Sequence, residues 1–191
     1  MKPIYLLLFF FGLSFAAIGQ VTNRVDLLEP GQALSERVLS KVAKATSLQL
    51  QISEVDDLLR SSPASVEFVV PGPEPLVLEL QRSYPLDPGF VAKQTAAGGT
   101  SIVPYEKGAF YHGHIKGKPQ SVVAISIFKG SVLGLIQDEQ GTRNLVPLRD
   151  TKGAFTSNHI LYFEKDLRVA NEFTCTEVGA EDYELPALSD K

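Results

Sequence analysis

The stretch AFYHGHIKGKPQSVVAISIF, residues 109–128, is where the fold of this chain is decided. Two runs rich in aromatic and β-branched residues, 109–116 and 121–128, read as strands, and Gly117 and Pro119 stand between them. On the N-terminal side Val66, Phe68 and Val70 alternate with more polar positions, Pro71-Gly72-Pro73 connects, and Leu76, Leu78 and Leu80 alternate again, which is a hairpin signal. Further strands are expected at 101–104, 132–137, 143–148 and 159–164, and the run Asp138-Glu139-Gln140-Gly141 ends in the glycine that a hairpin loop uses at positive φ. Short strands at close spacing predict a mainly β domain, an antiparallel β sandwich or open barrel with one or two N-terminal helices.

The helices come from the first third. Leu34, Val38, Leu39 and Val42 recur at helical spacing behind Pro30-Gly31, so an amphipathic helix is expected over 32–45. Ser53 followed by Asp56 predicts a capped second helix over 54–60, and Leu48, Leu50 and Ile52 alternate between the two as a half-buried strand would. The segment QTAAGG, 94–99, reads as a surface loop.

The full chain has 191 residues, 44% hydrophobic and 21% charged, an ordinary globular balance for one folded domain. Residues 1–19 read as a signal peptide: Lys2 is a minimal basic region, residues 4–15 are apolar but short for a bilayer span, and Ala17-Ile18-Gly19 supplies small residues for cleavage. Cleavage after Gly19 leaves Gln20 first; cleavage after Ala16 is the alternative. The product is expected outside the cytoplasm, secreted or periplasmic. A helical N-terminal segment, 20–62, then precedes a β-rich domain, 63–175, and a tail, 176–191, carrying Glu177, Glu181, Asp182, Glu184 and Asp190. The net charge of −4 argues against nucleic acid or an anionic membrane as a partner, because phosphates call for a basic patch.

Candidate chemistry is sparse. One cysteine, Cys175, excludes an intramolecular disulfide framework and a thiol-rich zinc site. His112 and His114 alternate and share a face if they lie on a strand, so the pair is a weak metal candidate without a third ligand; His159 is distant in sequence, and H-E-x-x-H does not occur. Ser121, Ser126 and Asp138 lack any G-x-S-x-G context, so no catalytic residue is assigned and the chain is not expected to be an enzyme.

From about residue 66 to 175 the chain resembles the propeptide of reprolysin or ADAM-type zinc metalloproteases. The hairpin comes first, then Phe90-Val91-Ala92, and then the pattern Y-x-G-x-[IV]-x-G-x-P-x-S, carried by Tyr111, Gly113, Ile115, Gly117, Pro119 and Ser121. Gly130, Gly134-Leu135-Ile136, Val146-Pro147-Leu148 and His159-Ile160-Leu161-Tyr162 follow in the family's order. The resemblance implies a secreted, inhibitory and folding-assisting propeptide whose catalytic domain is absent from this chain. Its partner would be a metalloprotease catalytic domain, in cis or in trans. Cys175, thirteen residues beyond Tyr162, matches the family's switch cysteine, whose thiolate fills the open position of the partner's catalytic zinc. Tethering raises its effective concentration there. No cofactor is implied in this chain itself.

Two departures stand out. The family's switches read Cys-Gly, whereas Thr176, a stiffer β-branched residue, follows here. Phe110 and Phe128 stand where family members commonly carry a cysteine pair, so an aromatic cross-strand pair is expected in place of a bridge. The competing expectation is a stand-alone secreted β-rich binding or adhesion module.

Overall fold

Ten strands form a single sheet in the computed structural model, which describes residues 23–168. Its centre is the stretch quoted above, folded as β8 (Ala109–Ile115) and β9 (Lys118–Phe128). Strands β10 (Ser131–Asp138), β11 (Gly141–Arg149) and β12 (Phe155–Phe163) follow as antiparallel neighbours. On the other flank β8 pairs with β5 (Leu76–Ser83), and β5 with β4 (Ser65–Val70).

The two edges come from one short piece of chain. β1 (Asn23–Val25) runs parallel to β4, whereas β2 (Leu28–Pro30) pairs with β3 (Thr46–Leu50), itself antiparallel to β12. Only Asp26 and Leu27 separate β1 from β2, so a sheet whose edges are consecutive in sequence must curl back on itself. Contacts of β2 with β4 across the seam show that it does. Of the two expected arrangements, sandwich and open barrel, the sheet takes the barrel form. An edge that would otherwise offer unpaired amides is thereby covered by the chain's own strand.

Period-two alternation fills the interior. Val66, Phe68 and Val70 of β4, Leu78 and Leu80 of β5, Tyr111 of β8 and Val123, Ile125 and Ile127 of β9 are all buried in one core. The helix α2 (Ile52–Ser61) lies between β3 and β4 and adds Val55 and Leu58 to that core. Each such side chain contributes roughly 1.5–3 kcal/mol on leaving water.

Several expectations need correcting. The helix expected over 32–45 shrinks to the single turn α1 (Glu36–Leu39), none of whose residues is buried. Backbone bonds hold the rest of that segment: Gly31 donates to Ser47, Ala43 to Asp166, and Lys41 accepts from Arg168. Val42 is buried not on a helix face but in an isolated bridge to Leu167. The second helix starts earlier than expected, at Ile52 with Gln51 as its cap, and no side chain caps it; Ser53 sits inside the first turn because β3 runs almost directly into the helix. The loop expected at 94–99 belongs to an exposed hairpin of β6 (Ala92–Ala96) and β7 (Gly99–Val103), where Gly99 takes a φ of +115°. The segment 20–62 supplies strands β1, β2 and β3 as well as helices.

Candidate functional site

The residues of the Y-x-G-x-I-x-G-x-P-x-S pattern converge on the β8–β9 hairpin, and each answers a local physical demand. Tyr111 points inward, and its hydroxyl donates to the Pro63 carbonyl at 3.0 Å, tying β8 to the end of α2. Burial pushes its phenol pKa up, against the opposing pull of Arg82. A Cβ on Gly113 would strike the Glu79 carbonyl of β5, so only glycine lets the two strands approach. Gly117 turns the chain at a φ of +78°. Between the pairs Gly113–Val123 and Ile115–Lys118 the ladder slips, and the extra residues on β9 include the exposed Pro119, which has no amide to offer a ladder. Buried Ser121 closes that slip: its hydroxyl accepts from the Ile115 amide at 2.8 Å and donates to the Lys118 carbonyl at 2.6 Å.

Tyr162 is half-buried on β12, and burial followed by the Glu164 charge pushes its pKa up. Phe110 and Phe128 pack edge to face with ring centroids 5.7 Å apart. They are diagonal neighbours across β8 and β9, a contact worth up to about 1 kcal/mol.

His112 and His114 lie on β8 opposite Gln81 and Glu79 of β5. The Nε2 atom of His114 is 3.1 Å from the Glu79 carboxylate, and Lys116 pairs with Glu67. Among the described residues no three His, Cys, Asp or Glu side chains gather as a metal site. His159 is fully buried on β12 and serves the backbone. The Val132 amide donates to its Nε2 at 3.1 Å, so the ring proton sits on Nδ1 and reaches the Ser157 carbonyl at 3.0 Å. Burial pushes the imidazole pKa below its ordinary value, outweighing the opposing Ser157 bond.

Sequence reasoning missed two inward arginines. Arg143 on β11 is 7% exposed, with Nη1 3.2 Å from Asp138 and Nη2 donating to Gln140 at 2.6 Å. Asp138 also holds Lys118 at 3.0 Å. Burial works to raise the Asp138 pKa, but Lys118, the Gln140 amide and Arg143 overcome it and hold the carboxyl below the usual aspartate value. The second, Arg82, follows Leu78 and Leu80 on the inward side of β5, opposite Tyr111. The signal was present: alternation carried one step beyond the last leucine reaches a cation.

Cys175 and the acidic tail lie outside the described residues, as does the expected signal segment. Arg168 is the last described residue on that side, just beyond the turn Glu164–Asp166 that ends β12. Asp166 and Phe163 line the same mouth of the barrel as Arg143, a cavity of about 370 Å³.

No family model matches the chain. The disintegrin and metalloproteinase domain-containing protein 32 of Mus musculus is 32% identical over 106 residues. That match covers 53% of this chain but 13% of the mouse protein. A region of this chain is therefore similar to a small part of a disintegrin and metalloproteinase protein.

Proposed function

We propose that the chain is the propeptide region of a reprolysin-like zinc metalloprotease, exported through residues 1–19, which keeps the enzyme latent and assists its folding. The observation that carries this reading is the 32% identity to the mouse disintegrin and metalloproteinase protein. On this reading the chain contributes a β-rich body and one thiol rather than a catalytic group. A catalytic zinc with three protein ligands keeps a fourth position for water, and the Cys175 thiolate would occupy that position.

Reach limits where the enzyme sits. Cys175 is seven residues beyond Arg168, so its Cα lies within about 25 Å of that residue at 3.3–3.6 Å per residue, and the zinc about 5 Å further. Strand β12 itself is about 27 Å long from Phe163 back to Phe155. On this reading the catalytic domain sits nearest the barrel mouth around Arg143 and Phe163, where the tether starts.

The test is inhibition of a disintegrin-type metalloprotease catalytic domain by the full chain and by Cys175→Ser. Wild type should inhibit and the variant should be weakened at least about tenfold, as loss of a metal ligand demands. Equal inhibition removes the thiol from the mechanism, and no inhibition by wild type removes the latency reading. A stand-alone secreted binding module is the second reading, favoured by an open aromatic cleft at the end of the barrel far from Arg168.

A further inference from the structure

The barrel carries one inward arginine near each end, and only one of them has a carboxylate. At the mouth near Phe163, Arg143 is matched by Asp138. Ion pairs among the described residues otherwise engage Arg24, Arg60, His114, Lys116 and Lys118, not Arg82. The Nε and Nη1 atoms of Arg82 are shielded from water and have no hydrogen-bond partner among the described residues. Arg82 as a whole is half-buried, and a cation with two shielded nitrogens and no carboxylate beside it calls for an explanation.

The surroundings supply one. Arg82 lines a cleft of about 760 Å³ formed where the chain leaves the sheet between β5 and β8. Tyr84, Phe90, Tyr105 and Phe110 give it aromatic walls, and Lys107 adds a second cation. The carboxylate on that lining, Asp87, already accepts the Gly89 amide at 2.7 Å. The Arg82 guanidinium is 5.6 Å from the Tyr84 ring and 5.8 Å from the Tyr111 ring. Tyr84 is itself 78% exposed, so the ring can swing aside at little cost in packing.

We propose that this cleft binds an acidic peptide segment of a partner protein, one carboxylate meeting Arg82 and a neighbouring apolar or aromatic side chain lying against the Phe90–Tyr105 pair. Those two rings already meet edge to face at 5.1 Å, which holds the wall in place before a ligand arrives. The guanidinium fork suits a carboxylate bidentately, and removing water from the pair strengthens it. The site stands apart from the latency reading, because it lies at the end of the barrel opposite Arg143 and Phe163.

The chain contains no tryptophan, so an acidic Trp-Asp-Glu-Phe-Asp-Val peptide, a sequence found nowhere in the chain, reports its own binding to the full chain by fluorescence. Saturable binding is expected. It should weaken at least about tenfold for Arg82→Met, or when the acids of the peptide are replaced by their amides. Tyr105→Ala, which removes half of the aromatic wall, should weaken it severalfold, and Lys165→Ala, at the other end, should leave it unchanged. The melting temperature separates roles: Arg82→Met should keep or raise it, since no paired charge is lost. A lowered melting temperature with unchanged peptide affinity makes Arg82 purely structural and overturns the proposal. Equal binding of the amide peptide, or no saturable binding up to millimolar peptide, overturns it as well.

Discussion

His159 trades its charge for a place in the backbone. Its Nε2 accepts the Val132 amide, a bond that a protonated ring cannot make, and burial holds its pKa below the ordinary histidine value. The unfolded chain takes up that proton near pH 6.5, and the folded chain resists it. The contribution to stability is therefore complete above about pH 6.5 and is lost as pH falls through the lower folded value. Urea unfolding between pH 7.5 and 5 should show the loss, and His159→Gln should flatten it while costing about 1–3 kcal/mol at neutral pH. Asp138 behaves as the acidic counterpart. Its depressed pKa makes its stabilisation present above about pH 4 and lost below it. Replacing it by asparagine leaves Arg143 buried without its anion, so Asp138→Asn should cost about 3–5 kcal/mol in chemical denaturation at pH 7. The sequence placed the two in a turn and a strand but not against their buried partners, because a histidine or aspartate looks the same whether it faces solvent or a buried amide.

At the scale of elements, the strands with side-chain alternation were legible and those without it were not. The hairpin of β4 and β5 and strand β9 carry apolar residues at every second position, since one face meets the core, and β8, β10 and β11 keep most of that alternation. β1 and β2 have three residues each, too few to show a period; β6 and β7 bury no side chain, and of these two only the 101–103 part of β7 was read as a strand. The apolar stripe of 32–45 misled for the opposite reason: helical spacing was present, but backbone bonds to Ser47 and Asp166 claimed the segment for a connector. The short N-terminal strands nevertheless close the sheet. Leu27 is 1% exposed and Leu28 4% exposed, and Leu27 accepts the Gln51 amide at 2.9 Å. Leu28→Ala should cost about 2–5 kcal/mol. Deleting residues 23–30 should bare β3 and β4 and produce concentration-dependent light scattering that the intact chain does not show.

For the whole molecule, one cysteine in 191 residues means that the barrel owes nothing to an internal bridge. The melting temperature should be the same with and without reductant, and a fall of several degrees on reduction would contradict this. The Phe110–Phe128 contact was legible as a residue pair, and its edge-to-face geometry is what the two strands make of it. The Y-x-G-x-I-x-G-x-P-x-S residues were legible as a pattern but not as a device. Only the fold shows that Gly113 clears the β5 backbone and that Ser121 closes a slipped ladder. By itself the sequence determined that the chain is mainly β, which strands face a core, and that a single thiol is available, because periodicity and composition are local properties. The tertiary structure alone decided that the sheet curls into a barrel closed by its own N-terminus, and that one inward arginine meets a carboxylate while the other does not. Those outcomes depend on which distant backbones and charges come to lie side by side, and no local pattern records that.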